Sequence, residues 1–336
     1  MAHYYRVYGL SLVVDRALPG LIQQPASHSV DWQVSMDSLL DDGDSHENAA
    51  AHGLYESESC DDDGEPTWKI WRLAPGQRLR LRFRDGTDFR LDFANRQISA
   101  QWPDGLTLED ATTYLLGPVL GFTLRQLGYI CLHGSAVAIG NQAIALVGSP
   151  GAGKSTTAAA FAQKGLAVLS DDILALTETD NRVKVQPGYP RVNLWPDAAQ
   201  ALWGTDNALP RITSSWDKRY LDLHASGGFA HHALPLAAIY IFAPRIDQPR
   251  APLIESLAVQ AGLMSLIGNT YANCLLDSPR RASEFNFLGR LANRTPLRRI
   301  TAHSDPQRLT ALCHLILDDV NRLTDFTSTP QPQSNP

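Results

Sequence analysis

Cysteine is scarce in this chain and never paired. Cys60, Cys131, Cys274 and Cys313 are spread over 336 residues with no C-x-x-C repeat. That spacing excludes the usual zinc sites and fits a reducing, cytoplasmic setting. Long apolar runs are also missing, and none reaches the roughly 18–20 residues of a membrane span. The start, Met1-Ala2-His3-Tyr4-Tyr5-Arg6, lacks a basic region followed by an apolar block, so no secretory signal is expected. Positive charge is not in excess: the net charge of −6 argues against a nucleic-acid partner. His231-His232 has no second ligand cluster nearby and reads as a solvated loop pair. There is no internal repeat. With 44 % hydrophobic residues, the length is enough for one large domain or two ordinary ones.

What is present is a complete G-x-x-x-x-G-K-S loop: Gly148, Ser149, Pro150, Gly151, Ala152, Gly153, Lys154 and Ser155. Glycines let backbone N–H groups turn inward around phosphates. Lys154 would reach the β- and γ-phosphates, and the Ser155 hydroxyl would ligate Mg²⁺. The apolar run 143–147 before the loop predicts a strand buried on both faces. Residues 156–164, from Thr156 onward, predict a short helix closed by Gly165. The helix dipole would then face the phosphates of a nucleotide, and ATP with Mg²⁺ is the expected ligand.

Residues 1–105 read as a β-rich N-terminal domain. One strand is expected at 5–14, followed by an antiparallel meander at 79–83, 89–93 and 97–102, with Asp85-Gly86 turning its first hairpin. The meander's arginines read as its solvated face. An acidic stretch at about 41–66 predicts a mobile loop. A helix starts near Thr107, where Thr107 and Asp110 have capping-box spacing, and runs to about Leu127. Residues 106–324 read as an α/β catalytic domain, with core strands at 166–170 and 236–242. Helices are expected at 257–276, 280–292 and 305–323. Residues 325–336 predict a disordered tail.

Asp171-Asp172 ends the strand after the first helix, where a parallel sheet opens its ligand crevice. One carboxylate would help hold Mg²⁺, and the other would orient or deprotonate an attacking hydroxyl. His133, Arg191 and the pair Lys218-Arg219 are the remaining candidates. Phosphoryl transfer needs cations against charge spreading over the equatorial oxygens.

His133-Gly134, the loop 148–155 and Asp171-Asp172 together resemble the catalytic core of the HPr kinase/phosphorylase family. That core is itself similar to the nucleotide-binding part of phosphoenolpyruvate carboxykinases. The likeness is specific over about residues 130–180. Tyr189-Pro190-Arg191 and Leu194-Trp195-Pro196 resemble a divergent set of HPr-kinase-like proteins, some of them encoded with lasso-peptide precursors. The resemblance implies a P-loop kinase fold and an ATP-dependent serine kinase acting on a peptide or small protein. It implies a base role for Asp171, a metal-linked role for Asp172 and Ser155, and active-site roles for His133, Lys154 and Arg191. The first 105 residues lie outside the resemblance, and a homo-oligomer is left open. Two alternatives stand beside this reading: a kinase of a small-molecule hydroxyl, and a nucleotide-driven switch or regulator. Against the switch, no N-K-x-D motif appears, and the apolar strand at 239–242 ends in Ala243-Pro244 without a carboxylate.

Overall fold

A computed structural model describes residues 1–26, 29–36, 52–57, 63–73, 78–214, 216–272 and 276–328. Strands β1 (His3–Val7), β2 (Leu10–Val14), β3 (Trp32–Met36), β4 (His52–Glu56), β5 (Trp68–Leu73), β6 (Arg78–Phe83), β7 (Asp88–Asp92) and β8 (Gln97–Gln101) form one eight-stranded sheet. Its order is β1-β2-β3-β8-β7-β6-β5-β4. The single strand expected at 5–14 is instead a tight hairpin. Tyr8 and Gly9 turn it with φ of 55° and 86°, which lets Tyr5, Val7, Leu10 and Leu12 all reach the core. The meander β5–β8 is antiparallel as expected, but β3 joins β2 and β8 in parallel, so the sheet is mixed. Within the acidic stretch expected as a loop, residues 52–56 form β4 on the sheet edge. Residues 41–51 and 58–62 of that stretch lie outside the described residues.

Period-two alternation explains β6. Leu79, Leu81 and Phe83 are buried, while Arg78, Arg80 and Arg82 face the other way. Arg80 corrects the expectation of a solvated arginine face. Its guanidinium grips Asp88 on β7 with Nε–Oδ distances of 3.1 and 2.8 Å, and Asp88 is only 1 % exposed. The cross-strand register fixes this pairing, which adjacent sequence does not reveal.

The helix expected from Thr107 begins with its capping box: Thr107 Oγ1 accepts from Asp110 N–H, and the Asp110 carboxylate accepts from Thr107 N–H. It is not one regular helix. Helix α1 (Leu108–Tyr114) widens into a π-helical segment at Leu115–Val119 before α2 (Leu120–Gln126). Pro118 lies in the wide segment, where its missing N–H removes a helical hydrogen bond. Leu115, Phe122 and Leu124 join the core of the first sheet. Cys131, Ile173, Ala175 and Tyr189 from the following region belong to the same cluster.

The second sheet contains β9 (Ile130–Ile139), β10 (Gln142–Val147), β11 (Val168–Ser170), β12 (Ile173–Thr179) and β13 (Arg182–Val185). After β14 (Arg191–Leu194) and β15 (Arg219–Asp222), which pair by themselves, it takes in β16 (Leu234–Phe242), β17 (Leu253–Ser256) and β18 (Leu297–Thr301). β16 joins β13 at its start and β10 along the rest, so the sheet curls back on itself. It is mixed: β10, β16 and β18 run parallel, but β9 lies antiparallel to β10. Residues 143–147 are fully buried, as the apolar run predicts. Ile144 and Leu146 pack with α3 (Lys154–Gln163) and with α7 (Leu309–Ser328) on one face. Ala143, Ala145 and Val147 face the cluster of α5 (Val259–Gly268) and α6 (Ser278–Arg294). The remaining helix, α4 (Pro196–Trp203), follows β14.

Helix α7 carries the expected stripe of Leu312, Cys313, Ile316 and Val320, all buried. Its approach is a 3₁₀ turn, Pro306–Arg308, capped by Asp305. The helix runs to Ser328, so the first residues of the expected tail are helical; residues 329–336 lie outside the described residues. Among the described residues, no helix is long and apolar enough to cross a membrane.

Candidate nucleotide-binding and phosphoryl-transfer site

A cleft of about 670 Å³ opens over the end of β10 and the start of α3. The loop 148–153 joins those two elements, and Gly151 and Gly153 carry φ of 77° and 109°. Side chains with a Cβ strongly disfavour such values, so the sequence can form this tight turn only with glycine there. Gly153 is the N-cap residue on which α3 begins. Lys154 is 6 % exposed, and its Nζ donates to the carbonyls of Gly148 and Ser149 at 2.8 and 2.9 Å. Burial lowers its pKa, against the pull of Asp171 and Asp172. Pro150, Gly151, Ala152, Gly153, Lys154, Ser155 and Thr156 all line the cleft, while Gly148 and Ser149 hold Lys154 through their carbonyls.

The two aspartates do not end a strand of a parallel sheet. β11 and β12 both run antiparallel along β9, with Ser170 opposite Ala136 and Ile173 opposite His133. Asp171-Asp172 interrupts what is otherwise one line of pairing. Ile173 N–H donates to Asp171 O at 3.0 Å, and Asp172 between them has φ of 72°. This is a three-residue turn with a non-glycine residue in the left-handed region, a conformation that costs of order 1–3 kcal/mol. The kink gives the carboxylates different surroundings.

Asp171 is 4 % exposed. Its Oδ1 accepts from Ser135 Oγ at 2.6 Å, and its Oδ2 accepts from Asn193 N–H at 3.0 Å. Burial raises its pKa, partly offset by these donors. Asp172 opens to the cleft, with 41 % of its side chain exposed and His133 Nδ1 at 3.2 Å from Oδ1. The same nitrogen lies 3.2 Å from the Asp172 carbonyl. Both neighbours are acceptors, so Nδ1 carries the proton and Nε2 remains for other partners. Desolvation raises the Asp172 pKa, but His133, Lys218 and Lys154 outweigh it and bring it below the usual carboxylate value. His133 is followed by Gly134 for a packing reason: a Cβ there would sit 2.6 Å from Leu146 O and 2.8 Å from Leu174 Cδ1.

Arg191 does not join this cluster or line the cleft. Its guanidinium bonds Glu109 on α1 at 3.1 Å and stacks 4.0 Å from the Tyr220 ring. Of the pair 218–219, Lys218 lines the cleft with its Nζ 5.0 Å from the Trp195 ring. Arg219 is 3 % exposed and bonds Asp217 and the carbonyl of Asp206. His231 and His232 are exposed, as expected. Sequence reasoning missed Ser135, Asn193, Arg245 and Arg308. Ser135 had a usable signal, because it lies two residues from His133 on one strand and shares its face.

Among the described residues, no three His, Cys, Asp or Glu side chains gather as a metal-holding group. Mg²⁺ commonly takes only one or two protein ligands, with substrate phosphates supplying much of the rest. Ser155 and Asp171, which both line the cleft, fit that need.

No family model matches the chain, and no curated protein matches it. Among solved structures it is similar to the HPr(Ser) kinase/phosphatase from Coxiella burnetii, at 13 % identity and a TM-score of 0.33. The match covers 59 % of this chain and 94 % of that one.

Proposed function

We propose that the chain is an ATP-dependent kinase that transfers the γ-phosphate to a serine hydroxyl of a peptide or small protein. The observation that carries this reading is the divergence of the two aspartates. One is buried and held by Ser135 and Asn193, and the other is open to the cleft beside His133. A nucleotide-holding loop alone would suit many activities. A second carboxylate, held open by a strained turn a short way from Lys154, suits an incoming hydroxyl.

In this reading the N–H groups of 151–155 and Lys154 hold the β- and γ-phosphates. Ser155 and Asp171 would hold Mg²⁺, which would neutralise charge on the phosphates. Asp172 takes the proton from the acceptor hydroxyl. The acceptor oxygen bonds to the γ-phosphorus while the bond from that phosphorus to the bridging oxygen breaks, and ADP leaves. His133 orients Asp172, and Lys218 offsets charge on the transferring group. These assignments exchange the roles of the aspartates expected from the family resemblance. The reason is access: Asp171 is buried and already receives Ser135 Oγ and Asn193 N–H, while Asp172 opens to the cleft. Arg191 is assigned a structural role instead, tying β14 to α1.

The test is intact-mass analysis after incubation with ATP, Mg²⁺ and candidate acceptors, among them an HPr protein and any small peptide encoded alongside. The reading requires a gain of about 80 Da on an acceptor, lost with Asp172→Asn and with Lys154→Ala. ATP hydrolysis that ignores every acceptor would contradict it.

A further inference from the structure

We infer that the Gly148–Ser155 loop divides the cleft into two ends, and that the end between the segments following β16 and β18 binds the base and ribose of a nucleoside triphosphate. This rests on the nucleotide reading above and adds a direction to it. Lys154, Ser155, Asp171 and Asp172 mark the γ-phosphate end. A nucleotide with its β-phosphate in the loop must therefore run its α-phosphate and nucleoside the other way, across the start of α3.

On that other side, the chain leaving β16 and the chain leaving β18 both line the cleft. The two strands are parallel neighbours, so their ends emerge together. They and the first turn of α7 supply an apolar floor of Phe242, Ala302, Leu309 and Leu312. Arg245 and Arg308 stand at its rim and are exposed. Arg245 bonds only the carbonyl of Gly151, at 3.3 Å, and neither arginine has a carboxylate partner among the described residues. Apolar side chains beside guanidinium groups without carboxylate partners are surroundings in which an aromatic base stacks.

The exposed Trp195 at the opposite end looks like an alternative platform, at 58 % exposure. It follows β14 directly, two residues after Asn193, whose N–H holds Asp171. Its ring also carries Lys218. Trp195 therefore belongs with the γ-phosphate and the acceptor.

Titration calorimetry with two probes, ATP and inorganic tripolyphosphate, separates base recognition from phosphate recognition. Arg308 is exposed, so Arg308→Ala leaves the fold intact. That variant should bind ATP about tenfold more weakly and tripolyphosphate as the parent protein does. Equal loss for both probes would make Arg308 a phosphate contact and overturn the assignment, and so would no loss for either. If neither probe binds the unaltered protein, the nucleotide reading itself fails and this lobe with it. Photolabelling with 8-azido-ATP gives a second readout. Label within 242–250 or 302–312 is expected, and label within 195–218 would overturn the proposal even where ATP binding is retained.

Discussion

At the residue scale, the two adjacent aspartates are the clearest case of environment setting role. Asp171 and Asp172 share a chemistry and differ only in which way the turn at φ 72° sends them. Asp172→Asn should lower transfer by about 10²–10⁴-fold while ATP binding persists, the range typical of a removed general base. Asp171→Asn should instead raise the Mg²⁺ concentration needed for half-maximal transfer. Steady-state rates across a Mg²⁺ series distinguish the two, and an unchanged Mg²⁺ requirement in Asp171→Asn would count against its metal role. A second residue-scale prediction concerns Cys131, whose thiol burial pushes up to about 12. At pH 8 it should resist alkylation in the folded protein and react once unfolded, as read by mass. Linkage sets the sign of its effect on stability. An unfolded cysteine ionises near 8.5 and the folded one far above, so this site's contribution is complete below about pH 8.5 and is lost as pH rises toward 12.

At the element scale, what was legible in the sequence was what depends on near neighbours. The buried strand 143–147, the glycine loop, the helix after it and the Thr107–Asp110 cap all come from local pattern. What was not legible depends on register and distant partners. The hairpin at Tyr8-Gly9 carries only Gly9 as a local turn signal, in a stretch otherwise rich in strand formers. Arg191 meets Glu109 across 82 positions of sequence, so no local signal could separate a structural arginine from a catalytic one. The interruption at Asp171-Asp172 becomes visible only when β11 and β12 are laid along the same strand. Two stability predictions belong here. Asp88→Ala leaves the Arg80 guanidinium without its closest carboxylate in a buried setting and should cost about 3–5 kcal/mol in denaturant unfolding. Gly134→Ala drives a methyl group into Leu146 O and Leu174 and should cost about 1–3 kcal/mol. A neutral result in either case would mean that the strand shifts to absorb the change.

At the scale of the whole molecule, the first sheet and the cleft are not separable by a cut near residue 106. Cys131, Ile173, Ala175 and Tyr189 share one apolar core with the first sheet and α2. The Tyr8 N–H donates to Pro187 O at 2.7 Å just ahead of Tyr189, which lines the cleft. A chain beginning at residue 106 should therefore lose cooperative thermal unfolding, and it would not report on acceptor choice. Thr113, Gly117 and Pro118 line the cleft from α1 and the π-helical segment. No described residue before 106 lines the cleft, so the N-terminal part supports the site through the shared core.

Phosphoryl transfer from ATP to a hydroxyl, with Asp172 as base, is tested most directly by the intact mass of acceptors incubated with ATP and Mg²⁺. The unaltered protein and the Asp172→Asn variant are compared side by side. The expected result is a gain of about 80 Da with the former and none with the latter, at similar ATP binding. Equal phosphorylation by both proteins, or ATP turnover with every acceptor left unmodified, would contradict it.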